Sequence, residues 1–115
     1  MNPTERRADG LLSIVVPAMN EADNIPALLR AVAAALEPQK IPYELILVDD
    51  GSADQTWQVI CAAAAADGRV RGLKLSRNFG KEGAMFAGIE DARGGCCVIS
   101  DADLQFPPAT IAEMY

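Results

Sequence analysis

The chain has 115 residues, half of them apolar, which is enough for one folded domain with a modest core. Its formal net charge of −6 argues against a nucleic-acid partner, which would require a basic surface. The sequence contains no histidine, so histidine metal sites and the Ser-His-Asp and Cys-His catalytic arrangements are excluded within it.

The amino-terminal segment 1–10 is polar and has no apolar signal-peptide core. We expect it to be a disordered or loosely ordered lead-in to a single unit over 11–115. An odd number of cysteines without a secretion signal predicts a reducing, cytoplasmic location. No apolar run approaches the roughly 18 residues that would be needed to cross a bilayer.

Four short apolar runs predict buried β-strands, at 11–17, 43–48, 70–75 and 96–100. Segments with helical spacing of apolar residues lie between the strands, and a further helix is predicted from Pro107 onward. Apolar strands alternating with amphipathic helices predict a Rossmann-like, three-layer α/β/α fold with a mainly parallel sheet.

Capping residues mark the starts of the first two helices. Asn24 is a candidate N-cap for the first helix, and Asp54 is a candidate cap for a helix over 55–66. In that second helix, we expect the inner face to be formed by Trp57, Ile60, Cys61 and Ala64.

A polar cluster follows each predicted strand, at 17–21, 49–52, 76–81 and 101–103. Ligands of parallel α/β sheets bind beyond the carboxyl ends of the strands. We therefore expect all four clusters to lie along one edge of the sheet and to form a binding site there.

The fourth cluster contains Asp101 and Asp103, separated by one residue at the end of an apolar strand. Two neighbouring carboxylates repel each other unless a cation lies between them. Hard divalent cations such as Mg²⁺ prefer oxygen ligands of this kind, completed by water and substrate phosphates. On this pair alone, two solvated acids at a strand end are an equally good interpretation.

Other nucleotide-binding classes fit the residues less well. A dinucleotide-binding domain needs a glycine-rich turn after the first strand, and segment 17–23 has no glycine. A P-loop fails because Glu82 follows Gly80-Lys81. A flavodoxin-like phospho-acceptor or regulatory module stays open as the alternative, since it also places acids such as Asp50 at strand ends.

Four motifs in order resemble those of the family 2 glycosyltransferases of GT-A fold. They read Val-Val-Pro-Ala-Met-Asn-Glu (15–21), Val-Asp-Asp-Gly-Ser (48–52), Ser-Arg-Asn-Phe-Gly-Lys-Glu (76–82) and Asp-Ala-Asp-Leu-Gln (101–105). Within that family, the chain resembles the branch that glycosylates polyprenyl phosphates. The resemblance implies an inverting transfer of sugar from a UDP- or GDP-sugar donor to a polyprenyl phosphate acceptor.

The resemblance also implies which residues form the site. Those that would contact the nucleotide sugar are Pro17, Met19, Glu21, Val48, Asp50, Lys81, Asp101 and Ala102. Those that would hold Mg²⁺ or Mn²⁺ on the donor diphosphate are Asp101, Asp103 and Gln105. The family places an aromatic residue where this chain has Met19. No catalytic residue is assigned, because the acceptor-side residues of the family come later in the chain.

Since the family continues well beyond its metal motif, we expect this chain to be a truncated, donor-binding half of a larger enzyme. The full-length protein is expected at the cytoplasmic face of a membrane. An incomplete sheet leaves an open edge or an apolar face, so self-association is expected.

Overall fold

A computed structural model of the chain describes residues 8–76 and 79–99. The elements in chain order are β1 (Ala8–Ala18), α1 (Ile25–Leu36), β2 (Tyr43–Asp49), α2 (Thr56–Ala66), β3 (Val70–Lys74), α3 (Gly80–Asp91) and β4 (Gly94–Ile99). The predicted alternation of strands and helices is confirmed as far as β4. The helix predicted from Pro107 lies outside the described residues.

The strands form one parallel sheet in the order β3-β2-β1-β4. Val15 in β1 pairs with Ile46 in β2 on one side and with Ile99 in β4 on the other. Because all the strands run the same way, their carboxyl ends lie along one edge, here called the carboxyl edge. The chain steps outward from β1 to β3 and then returns to the other side of β1, so a topological switch point lies between β1 and β4.

The two faces of the sheet are covered by different helices, which confirms the three-layer α/β/α architecture. On one face, α1 and α2 bury side chains such as Leu28 and Ile60 against Ile14 and Leu47. On the other face, Ala84 of α3 packs in a separate cluster with strand residues of β1 and β2. Within the described ranges, no helix is both long enough and apolar enough to cross a bilayer.

Helix α3 approaches the sheet closely at Gly88. A Cβ atom built on Gly88 would lie 2.3 Å from Cγ1 of Val15 and 3.2 Å from Cγ2 of Val48. Only a residue without a side chain fits such a separation, so Gly88 sets the distance between α3 and the two central strands.

Three details differ from the sequence prediction. Strand β1 begins at Ala8, three residues before the apolar run, because Ala8 still pairs with Gly94 of β4. Asn24 has helical φ and ψ and makes no side-chain cap bond. Asn24 is at the N-cap position as predicted, but its amide donates to the Glu21 carboxylate (2.5 Å) and its side chain does not cap the helix. Cys61 is exposed rather than on the inner face of α2, where Ile60 is the fully buried residue.

A buried ionic cluster lies at the opposite end of the sheet, on the face covered by α3. Its centre is Glu44 of β2, only 6 % exposed. One carboxylate oxygen of Glu44 accepts hydrogen bonds from the Ser13 hydroxyl (2.5 Å) and the Arg93 N–H (2.6 Å). The other oxygen accepts from Arg71 Nε (3.2 Å) and an Arg71 terminal nitrogen (2.8 Å). Arg71 also pairs with Asp91 at the end of α3.

This cluster stabilises the charged form of Glu44. Burial by itself would raise the pKa of Glu44, but the hydrogen bonds from Ser13, the Arg93 backbone and Arg71 outweigh burial and hold that pKa below its ordinary value of 4.5. The cluster therefore ties the end of α3 to three neighbouring strands through one ionised carboxylate.

Candidate functional site

Two loops meet at the carboxyl edge, the loop after β1 and the loop after β2. The N–H of Asn20 donates to the Ser52 hydroxyl oxygen (2.9 Å), and the N–H of Ala53 donates back to the Asn20 side-chain oxygen (2.8 Å). We call these three residues, Asn20, Ser52 and Ala53, the loop bridge. Because each loop both donates and accepts, the bridge fixes their relative position and not only their separation.

A third hydrogen bond joins the same loops nearer to the helices. The N–H of Glu21 donates to the Thr56 hydroxyl oxygen (2.9 Å), and Thr56 is fully buried. The Thr56 hydroxyl in turn donates to the Asp54 carboxylate. That hydrogen bond is the main reason why the pKa of Asp54 lies below its ordinary value. Asp54 is not the N-cap that the sequence predicted, since that position is held by Gln55, which makes no side-chain cap bond. Asp54 instead accepts hydrogen bonds from the N–H and the hydroxyl of Thr56, the first residue of α2.

Asp49 stabilises the loop that follows β2. It is 1 % exposed, and one carboxylate oxygen accepts from both the N–H (2.9 Å) and the hydroxyl (2.6 Å) of Ser52. These bonds close a tight turn over Gly51, whose φ of 90° is in the left-handed region that favours glycine. The residue next in sequence to Asp49 is therefore held at a defined position.

That next residue, Asp50, connects the β2 loop to the start of α3. It is 4 % exposed, and its Oδ1 accepts the N–H of Phe79 (2.7 Å), the residue before α3. Among the described residues, no donor contacts its second oxygen, Oδ2. Asp50 therefore has one oxygen committed to the fold and one that a ligand N–H could reach.

The other predicted contact residues are placed as follows. Pro17 is half-buried in β1 opposite Val48, and Val48 is fully buried beneath α3. Met19 is 41 % exposed and Glu21 is half-buried, both in the loop after β1. The structure thus brings Met19 and Glu21 to the same edge as Asp50, whereas Val48 presents no surface to a ligand.

Lys81 is exposed and is the second residue of α3. It comes two residues after Phe79, whose N–H contacts Asp50. The start of α3 and the β2 loop are therefore neighbours, and Lys81 adds a cation to the carboxyl edge, where Lys74 at the end of β3 is a second one.

The predicted metal ligands Asp101, Asp103 and Gln105 lie outside the described residues. Ala102, predicted to contact the donor, also lies outside them. The strand before them is described, and Ile99 at its end pairs in parallel with Val15. Strand β4 therefore runs toward the same edge as β1 and β2. Two carboxylates and an amide oxygen are a donor set that suits Mg²⁺ or Mn²⁺. Over the ranges 8–76 and 79–99, no cluster of three histidine, cysteine or acidic side chains is arranged to hold a metal ion.

The sequence placed Asn20 and Ser52 in the polar clusters expected at this edge but gave neither an individual role, and it did not assign Thr56 to the site. The signal for Asn20 was its residue type, because asparagine tolerates the left-handed φ of 58° found there better than most residues do. The partners Ser52 and Thr56 are more than 30 residues away in sequence, so spacing alone could not pair them with this loop.

Comparison with known proteins identifies a family and several relatives. Residues 13–115 match the sequence profile described as Glycosyl transferase family 2. The chain is 43 % identical, over 115 residues, to the undecaprenyl-phosphate 4-deoxy-4-formamido-L-arabinose transferase of Aeromonas hydrophila. A protein of the same name from Pseudomonas fluorescens is 45 % identical over 104 residues.

These relatives are considerably longer than this chain. The match to the Aeromonas protein covers 99 % of this chain but 34 % of that protein. The match to the Pseudomonas protein covers 90 % of this chain but 30 % of that protein. The chain thus spans about a third of the length of the curated relatives it matches.

Three solved structures, of two proteins, share the fold. S. aureus TarS 1–349 superposes with a TM-score of 0.74 at 26 % identity, covering 90 % of this chain and 30 % of TarS 1–349. Its complex with UDP superposes with a TM-score of 0.68 at 28 % identity, covering 80 % of this chain and 27 % of TarS 1–349. The mannosyltransferase PcManGT from Pyrobaculum calidifontis, in complex with GDP-Man and Mn²⁺, superposes with a TM-score of 0.70 at 27 % identity. The match covers 82 % of this chain and 27 % of PcManGT. These likenesses confirm the GT-A fold class that the sequence predicted.

Proposed function

Because this chain belongs to glycosyl transferase family 2, we propose that it binds the nucleoside-diphosphate sugar donor of an inverting glycosyltransferase. The whole protein transfers the sugar from this donor to an acceptor, and the carboxyl edge of the sheet is the donor site. The proposal is favoured over a phospho-acceptor module because the family match covers the whole of the described sheet from Ser13 onward.

The observation that carries the proposal is the state of Asp50. A carboxylate that is almost fully buried, fixed by one oxygen and without a described donor at the other, is suited to accept an N–H of a flat heterocycle. Met19 is an exposed apolar side chain in the loop after β1, at the same edge of the sheet as Asp50. Support also comes from TarS in complex with UDP and PcManGT in complex with GDP-Man, which share the fold of this chain.

The donor carries a diphosphate, and this chain has a formal net charge of −6. An anionic ligand therefore needs cations at the site. We assign Asp101, Asp103 and Gln105 as the residues that would hold Mg²⁺ or Mn²⁺, with Asp101 and Ala102 next to the donor. The metal would neutralise the charge that develops on the leaving nucleoside diphosphate. Lys81 contributes a second positive charge from the start of α3.

A polyprenyl phosphate is the acceptor that we propose for the whole protein. The support is the name of the relatives from Aeromonas and Pseudomonas, which are undecaprenyl-phosphate transferases. A phosphate acceptor is already an anion, so its oxygen attacks the anomeric carbon with little need for a general base. Because a polyprenyl chain lies in a bilayer, we also propose that the whole protein works at a membrane, on its cytoplasmic face.

Calorimetric titration of the chain with UDP, GDP and their sugar conjugates, with and without Mn²⁺, tests the proposal. We expect one nucleotide to bind and Mn²⁺ to strengthen that binding. Asp50→Asn keeps an acceptor for the Phe79 N–H but can replace the second oxygen with a donor, so affinity should fall about tenfold to a hundredfold.

Asp67→Asn is the matched control, because it removes the same charge at the opposite end of the sheet. Failure of every nucleotide to bind, or equal losses in the two variants, would contradict the proposal. Covalent modification of Asp50 by acetyl phosphate would favour the phospho-acceptor alternative.

A further inference from the structure

We propose that Asn20 is a positioning residue for nucleoside recognition. Asn20 acts without contacting the ligand itself. It holds the loop that carries Met19 and Glu21 against the loop that carries Asp50. This inference rests on the proposed function, since it concerns the same donor site.

The first observation is the backbone of Asn20. Its φ is 58°, in the left-handed region that residues other than glycine rarely adopt. Among the described residues, only Lys40 shares this conformation without being glycine, and Lys40 lies in the loop between α1 and β2, at the other end of the sheet. Left-handed backbone at Asn20 turns the chain so that its N–H and its side-chain oxygen both face the β2 loop.

The second observation is the path of hydrogen bonds that starts at Asn20. The Asn20 N–H donates to the Ser52 hydroxyl oxygen, and the same hydroxyl donates to the buried carboxylate of Asp49. The Asn20 side-chain oxygen accepts the Ala53 N–H. A displacement of Asn20 is therefore transmitted to the turn that begins at Asp49 and contains Asp50.

The third observation is that the loop bridge is exposed. Asn20 and Ala53 both lie at the surface, and the bridge buries no large apolar side chain. Hydrogen bonds at such a place contribute little to global stability, because water can replace them. They do restrict the positions that two neighbouring loops can occupy, and a binding site formed by both loops depends on that restriction. Loss of the bridge should therefore affect affinity more than folding.

Four substitutions separate the backbone role from the side-chain role. Asn20→Asp keeps an acceptor oxygen and tolerates the left-handed backbone. Asn20→Gly keeps the backbone conformation and removes the acceptor. Asn20→Ala removes the acceptor and resists the conformation. Ser52→Ala removes the partner hydroxyl from the other loop.

The experiment measures UDP and GDP affinity by calorimetry, and thermal stability in parallel, for the wild-type chain and these variants. Lys40→Gly is the matched control, because it changes the other left-handed residue at the far end of the sheet. We expect Asn20→Gly and Ser52→Ala to weaken binding of the preferred nucleotide about three- to tenfold. Asn20→Ala should weaken it further, and Asn20→Asp, which keeps the acceptor oxygen, should weaken it less than Asn20→Gly does. Lys40→Gly should leave affinity unchanged.

Hydrogen exchange of the Ala53 amide provides a second readout that needs no ligand. The amide should be protected in the wild type and in Asn20→Asp, and should exchange faster in Asn20→Gly. Wild-type binding of a nucleotide that Asn20→Gly binds equally well would overturn the role of Asn20 and leave the proposed function intact. Absence of any wild-type binding would instead overturn the proposed function and, with it, a nucleoside-positioning role, even if the Ala53 amide is protected.

Discussion

Replacing Glu44 by glutamine perturbs the buried ionic cluster at one point while keeping the shape of the side chain. In the wild type, the two oxygens of Glu44 accept four hydrogen bonds, two from Arg71 and one each from Ser13 and the Arg93 N–H. Glutamine has one oxygen and one amino group. Whichever way the amide is turned, its amino group faces donors that the carboxylate had satisfied.

The magnitude follows from these contacts. If the glutamine oxygen faces the Arg93 N–H, its amino group faces the Arg71 guanidinium, and the charged pair with Arg71 is lost. Arg71 keeps its bonds to Asp91, so it is not left without a partner. Breaking a buried pair completely costs about 3–5 kcal/mol, and a hydrogen bond to a charged group contributes about 1.5–3 kcal/mol. We therefore expect Glu44→Gln to lower the free energy of unfolding by about 2–4 kcal/mol.

Urea unfolding at several pH values measures this loss. Because the folded-state pKa of Glu44 lies below its ordinary value of 4.5, its stabilisation is present above that value and is lost as the pH falls through the lower folded pKa. The difference between wild type and Glu44→Gln should be largest at neutral pH and should shrink in acid. Glu90→Gln, at an exposed position of α3, is the control and should change stability by less than about 0.5 kcal/mol. A loss below 1 kcal/mol, or a loss that grows in acid, would refute the reasoning.

Three further predictions concern packing, assembly and the metal. Gly88→Ala should lower the free energy of unfolding by about 1–2 kcal/mol, since overpacking costs about 1–3 kcal/mol and the helix gains up to about 1 kcal/mol. Gly68→Ala, where nothing lies within 4 Å of the added Cβ, is the control, and equal thermal shifts would count against the close approach of α3. Phe86 is 67 % exposed beside Met85 and Ile89, so we expect the chain to self-associate through this apolar surface. Phe86→Ser should reduce the mass measured by light scattering, and a monomeric wild type would contradict this expectation. Asp103→Asn should abolish the strengthening of nucleotide binding by Mn²⁺ in calorimetry while leaving the metal-free affinity in place, and an unchanged effect of Mn²⁺ would remove Asp103 from the metal site.

The sequence predicted the layers of the fold because parallel strands, covered on both faces, appear as continuous apolar runs. Residues 43–48 are an example, and every residue of β2 is buried. The helices between them could be recognised by spacing, since Ile25, Leu28, Val32 and Leu36 fall on one side of α1. The gathering of polar clusters at the carboxyl edge followed from parallel strands alone, and it is confirmed for the loops after β1 and β2.

Contacts between distant residues could not be predicted in the same way. Glu44 stands out in an apolar strand as an isolated charge, and its partner Arg71 is 27 residues away on β3. Asn24 matched the capping pattern, yet its amide is engaged by Glu21. Cys61 was placed inside because α2 is apolar on nearly all sides, so residue type did not distinguish its inner face from its outer face.

Paramagnetic broadening by Mn²⁺ in an amide NMR spectrum tests the central claim most directly, because it reports where the metal–nucleotide complex lies on the chain. With UDP or GDP present, Mn²⁺ should broaden the amide signals of Asn20, Gly51 and Ser52 at the carboxyl edge. The signals of Lys40 and Gly68, at the opposite end of the sheet, should stay sharp. Broadening that centres on Lys40 and Gly68, or that does not depend on the nucleotide, would contradict a donor site at the carboxyl edge.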